Sequence, residues 1–321
     1  MESVARPLAQ SKPKTTLGTK VKLLWSDRTL LLMCLPAIVF FLVMSYLPMP
    51  GLYIAFVNFN YSAGMFRSPF VGFDNFEFLI HSGTLWKLTF NTIAYNLAFI
   101  VFGNALQILI AILLNELRTK WFKKITQSLM FLPYFISFVL VGLIAYNILS
   151  YEYGLLNSLL KSFGMDPIQT YSNAKIWPFI IVITYLWQST GYGSIVYFAA
   201  IMGLDSEILE AAEIDGANAL QRIRYIVLPW LKPTFIILLL FSLGGILRGN
   251  FGLIYNLVGA NNSALFNSTD IIETFVFRSL MNNFNFPLGS AVSLYQSIFG
   301  FIIVVSANWF MKKVSPENTL F

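Results

Sequence analysis

The chain has 321 residues, of which 57% are apolar and only 11% charged, whereas a soluble domain would carry about a quarter charged residues. This excludes an ordinary soluble domain and marks an integral membrane protein, so the formal net charge of +6 reflects basic residues at membrane boundaries rather than nucleic-acid binding. One cysteine, Cys34, and one histidine, His81, exclude an intrachain disulfide and any zinc site.

Residues 1–28 are polar and basic, with Arg6, Lys12, Lys14, Lys20, Lys22 and Arg28. They read as a cytoplasmic tail, too long for the charged region of a signal peptide. Charge-free stretches follow at Thr29–Met49, Leu88–Leu114, Ile125–Leu149 and Ile176–Met202. Pro233–Val258 is broken only by Arg248, and Leu288–Met311 is the sixth. A crossing needs about 20 mostly apolar residues, so six transmembrane helices are predicted. With the N-terminus inside, the tail and the connections 115–124, 203–232 and 312–321 hold 15 of the 21 Lys and Arg. That bias puts both termini and the 203–232 connection in the cytoplasm. The outer connection 50–87 is rich in aromatics and Asn, 150–175 has the turn residues Gly154, Gly164 and Pro167, and 259–287 predicts a short helix starting near Thr269.

Polar residues inside the spans are the candidates for a passage. Pro133 should kink the third span near Tyr134. In the fourth, Gln188 and Tyr192 are four apart and share a helix face. In the fifth, Gly244, Gly245, Gly249 and Gly252 loosen the helix around Arg248, Asn250, Tyr255 and Asn256. Planar amides and aromatic faces suit a hydroxyl-rich solute. Arg248 has two readings: it lines a wet passage, or it snorkels to the outer interface.

The cytoplasmic connection carries five acids between Asp205 and Asp215. Leu204, Ile208, Ala211 and Ala212 fall on one helical face, with Glu207, Glu210 and Glu213 around the other. Asp205 or Ser206 starts the helix and Gly216 stops it. Asn218 with Gln221 begins a second helix, and Pro229 bars its continuation. A helix lying on lipid would show Lys and Arg on its polar face; an acidic, alanine-paired surface fits a protein partner better.

This stretch resembles the EAA loop of permease subunits in binding-protein-dependent ABC importers. Glu210, Ala211, Ala212, Asp215, Gly216, Ala217, Ile226, Leu228 and Pro229 match at the family spacing, while Ile223 stands where sugar permeases often have Phe. Residues 70–311 are similar to the maltose-type permeases, FVGFDNF at Phe70–Phe76 included. The glycine-rich fifth span, TDIIETFVFR and the ENTLF tail look most like the polysaccharide branch. The resemblance implies a type I importer fold, with residues 88–311 as its core and 29–49 an additional first span. It also implies a second homologous permease, two cytoplasmic ATPase subunits that bind ATP and Mg, and an extracytoplasmic solute-binding protein, all at a bacterial cell membrane. The nine matched residues would seat in a cleft of the ATPase.

What is missing agrees. No G-x-x-x-x-G-K-[ST] motif is present, so ATP is hydrolysed on another chain, and this chain needs no cofactor of its own. All fifteen acids lie outside the six spans, which disfavours ion-coupled transport. His81 reads as a surface residue. A permease for another polar solute, a membrane-embedded enzyme and an ATPase-independent channel subunit are the rival readings.

Overall fold

The computed structural model describes residues 28–117, 119–259 and 261–314; the basic tail up to residue 27 and the ENTLF segment lie outside the described residues. The chain divides into two compact units, residues 1–53 and 54–321. In the first, helix α1 (Arg28–Phe41) runs into a π turn at Leu42–Tyr46. Leu47 N–H closes that turn on Leu42 O at 3.0 Å, so backbone groups are paired within the segment, as lipid requires.

Among the described residues of the second unit the regular structure is helical, apart from one isolated antiparallel bridge, Val57 to Phe70. Asn75 secures the chain before that bridge by donating to Ala55 O at 2.9 Å and Val57 O at 3.3 Å. Asp74 and Glu77 open α2 (Asp74–His81), where the helix dipole favours acids. His81 is exposed, its Nδ1 2.9 Å from Glu77 O. The longest helix, α3 (Thr84–Glu116), packs along α7 (Trp177–Met202). Buried Tyr197 joins them by donating to Asn104 Oδ1 at 2.5 Å, and Tyr95, Phe99, Trp177 and Ile181 build the core beside it.

Between these helices lie α4 (Lys120–Phe131), α5 (Phe138–Leu149) and α6 (Leu155–Ser162). Pro133 acts as predicted. The chain tightens into a 3₁₀ turn at Leu132–Phe135 and resumes in α5 at 94° to the preceding arm. Two glycines let this bent pair press on its neighbours. A Cβ on Gly191 would overlap the Met130 carbonyl, and one on Gly142 the Asn256 carbonyl. The obstacle is backbone in both cases and cannot rotate away. Gly142→Ala is therefore expected to cost about 1–3 kcal/mol, read as a lower thermal midpoint of the detergent-solubilised protein; an unchanged midpoint would reject the contact.

Helix α8 (Ser206–Ile214) is followed by α9 (Ala219–Gly244), α10 (Phe251–Val258), α11 (Ile272–Met281) and α12 (Phe286–Val314). Helix α11 starts near the predicted position, after a short helical turn at Phe266–Thr269. Among the described residues, five helical segments are long and apolar enough to cross a membrane, and six if the bent pair counts as one.

Two expectations need correction. Pro229 does not end the helix begun at Ala219. A π turn at Ile223–Val227 precedes it, which leaves Pro229 in the first turn of the segment Leu228–Gly244, where a missing N–H costs little. Nor is Pro233–Val258 one span. Helix α9 stops at Gly244, residues 245–250 leave the helix, and α10 is a separate short helix.

Candidate functional site

Backbone outside a helix exposes polar groups that must be satisfied within the protein at membrane depth. At the break after α9, side chains from three other helices supply the partners. Asn96 of α3 donates through Nδ2 to Ile246 O and to Arg248 O, both at 3.0 Å. Gln296 of α12 donates to Leu247 O at 2.6 Å. Glu273 of α11 accepts from Gly249 N–H at 2.6 Å and from Gln296 Nε2 at 2.7 Å, both on Oε1. Asn250 then caps α10 by accepting from Leu253 N–H at 3.2 Å. The break is thus a fixed feature of the fold. Gly249 fits closely there: a Cβ would meet the side-chain ends of Ile271 and Glu273, and Glu273 would have to shift to make room.

Two clefts flank the break. One, of about 460 Å³, brings together Tyr134, Ser137, Tyr185, Gln188, Ser189 and Asn250. Tyr192 joins its edge by stacking on Tyr134, with ring centroids 4.1 Å apart and planes at 7°. Gln188 is buried and donates to Ile136 O at 2.9 Å, so its amide nitrogen holds the turn after Pro133. The second cleft, of about 660 Å³, is lined by Arg248, Gly249, Glu273, Ser293, Gln296 and Ser297 among others. The structure therefore groups Tyr134, Gln188, Tyr192 and Asn250 and sets Arg248 apart, with its side chain exposed.

Tyr255 and Asn256 join neither group. Tyr255 packs between Phe251 and Phe277, with centroids 5.0 Å away from each. It lies beside the Asp270–Arg278 ion pair at 2.6 Å. Asn256 donates to Gly252 O at 2.7 Å and offers its backbone to Gly142. Asn96, Glu273 and Gln296 were not among the predicted residues. The stripe Ser293, Gln296, Ser297, Gly300 at three- and four-residue steps in an apolar helix is a signal that could have found one of them.

At its other end α9 leads into the elbow. Asp205 accepts from Glu207 N–H at 3.0 Å and starts α8. Gly216, at φ +81, ends it. Ala217 N–H reaches back to Ala212 O at 2.9 Å and Gly216 N–H to Glu213 O at 3.0 Å, the paired bonds of a Schellman stop. Asn218 and Gln221 cap α9 reciprocally, at 2.9 and 2.8 Å. Arg222 braces the bend with a 3.0 Å ion pair to Glu213.

Of the predicted apolar face, Leu204 lies before the helix and is buried in the core formed with Ala111, Tyr197 and Val227, against which Leu209 also packs, while Ile208 and Ala211 are exposed. Glu210, Ala211, Asp215 and Gly216 are exposed; Ala212, Ala217 and Ile226 are half-buried; Leu228 and Pro229 face outward. Ile214 is 87% exposed and Leu220 73%, which leaves large apolar side chains on an otherwise acidic knuckle.

A many-helix membrane protein whose polar break is joined by one continuous helix to an exposed knuckle is the membrane-spanning subunit of a transporter. Residues 107–318 match the family described as the binding-protein-dependent transport system inner membrane component, and the chain belongs to that family. It is 31% identical to Protein LplB of Bacillus subtilis (strain 168) over 321 residues, covering 99% of each chain. It is 33% identical to the polygalacturonan/rhamnogalacturonan transport system permease protein YteP of the same organism, over 91% of this chain and 90% of that one. Among solved structures it is similar to a chain of a bacterial ABC transporter involved in the import of the acidic polysaccharide alginate. The TM-score there is 0.83 at 30% identity, covering 92% of this chain and 99% of that chain. The protein is a multi-pass, non-catalytic permease subunit of an ABC importer.

Proposed function

We propose that this permease carries an oligosaccharide or polysaccharide-derived sugar across the bacterial cytoplasmic membrane by alternating access. The bent pair α4–α5 counts as a span, giving six with both termini in the cytoplasm. A second homologous permease completes the passage, two ATPase subunits supply the work with ATP and Mg, and an extracytoplasmic solute-binding protein delivers the cargo. Relatives named for polygalacturonan, rhamnogalacturonan and alginate transport support a saccharide cargo.

One observation carries the mechanism. Helix α9, 26 residues long, spans about 39 Å at 1.5 Å per residue, with the elbow at one end and the break at the other. In this reading Glu210, Ala211, Ala212, Asp215, Gly216 and Ala217 dock on the ATPase, with exposed Ile214 and Leu220 buried in the contact. Ile226, Leu228 and Pro229 join that knuckle to the rod. Closure of the ATPases then displaces α9 lengthwise and moves Asn250 against Tyr134, Gln188 and Tyr192. The populations of inward- and outward-facing states shift with nucleotide and loaded binding protein.

Reconstitution tests this. The permease pair, its ATPase and its binding protein in proteoliposomes should take up labelled oligosaccharide only with ATP and binding protein present. Uptake without the ATPase would establish the channel reading instead, and turnover by the purified chain alone the enzyme reading.

A further inference from the structure

The cleft that holds Arg248 has a chemistry of its own. It shares no lining residue with the Tyr134–Gln188 cleft, and Arg248 is the only cation that lines it. Among the described residues exposed Arg248 forms no ion pair. Glu273 lines the same cleft but makes no ion pair with Arg248; its Oε1 accepts from Gly249 N–H and Gln296 Nε2. Its Oε2 is buried without a hydrogen-bond partner among the described residues. The hydroxyls of Ser293 and Ser297 donate to Gly289 O and Ser293 O in their own helix, both at 2.9 Å, and keep lone pairs to offer as acceptors. The unpaired donors offered by side chains of this cleft are therefore those of the guanidinium, whose planar fork matches a carboxylate. Asn96, Gln296 and Glu273 position that fork by holding the backbone on either side of it.

We propose that this cleft is an anion subsite that takes the carboxylate of an acidic sugar unit in the cargo, with Ser293 and Ser297 accepting from sugar hydroxyls. The proposal rests on the saccharide-import reading above and names the class of sugar. The experiment uses the assembled transporter in phosphatidylcholine nanodiscs without its binding protein, so that only the membrane site is read. It is titrated with a uronic acid trisaccharide and with the carboxyl-reduced neutral counterpart. A preference for the acidic probe of about tenfold or more is expected from a charge-assisted pair. Arg248→Gln should abolish that preference, Arg248→Lys should keep part of it, and added salt should weaken it. Equal affinity for the two probes, or a preference that survives Arg248→Gln, overturns the subsite; ATP-driven uptake of either probe by the proteoliposomes described above then still upholds saccharide import. Displacement of the acidic probe by phosphatidylglycerol in the disc reassigns the cleft to a lipid headgroup and equally overturns it. If the complex binds neither probe in nanodiscs and takes up neither in proteoliposomes with ATP and binding protein, the import reading falls and the subsite with it.

Discussion

Gly216→Val is expected to uncouple the transporter while leaving the chain in the membrane. At φ +81 an L-residue pays about 1–2 kcal/mol, and a β-branched one is a genuine outlier there. No other atom lies within 4 Å of where the new Cβ would sit, so the penalty is conformational and falls on the bend. A stop displaced by one residue would swing Glu210 and Asp215 away from their present facing and separate Glu213 from Arg222. In the reconstituted complex, uptake and cargo-stimulated ATP hydrolysis should fall about five- to thirtyfold, the factor that 1–2 kcal/mol represents. Gly216→Asn should retain most activity, since asparagine tolerates left-handed backbone. Wild-type uptake by the valine variant would show that the geometry of this knuckle does not carry the coupling.

Glu273→Leu should have the second large effect, at the opposite end of α9. It removes the acceptor for Gly249 N–H and one of the two partners of Gln296 Nε2. A buried donor without a partner costs about 1–3 kcal/mol, and here the cost is relieved if residues 245–250 rearrange. Uptake should drop about tenfold or more, and a cysteine placed at position 248 should react at an altered rate with a water-soluble maleimide. Glu273→Gln keeps an oxygen where Oε1 stands and should stay within a few-fold of wild type. If leucine and glutamine behave alike in both measurements, the carboxylate does not hold the break.

These two ends of α9 were unequally legible. The elbow is local: its caps, its glycine stop and its acidic turn depend on residues within a few positions of one another, and Asp205, Gly216, Asn218 and Gln221 act as their chemistry dictates. The bend after Pro133 is local for the same reason. The break is local only in part. Gly244, Gly245 and Gly249 loosen the helix where it occurs, but hydropathy across Pro233–Val258 still reads as one crossing, and the side chains that satisfy the opened backbone, Asn96, Glu273 and Gln296, are distant in sequence. Pro229 misled for a related reason: a π turn is a small rearrangement that backbone propensities do not announce. Of the residues read from the sequence as candidates for a passage, Tyr134, Gln188, Tyr192 and Asn250 converge, but Tyr255 and Asn256 do not. A polar side chain on a short helix is as easily spent on its own backbone or on packing, and only the tertiary arrangement decides.

The bent pair has a mechanical consequence. Its first arm butts against α7 at Gly191 and its second against α10 at Gly142, and α7 runs through a short turn into the elbow. A thrust delivered at the knuckle thus has two load paths to α10, one along α9 and one across the α7 strut and the angled pair. On the coupling proposed above, the joint at Gly142 is a corner of that frame, and its failure would leave the rod pushing alone.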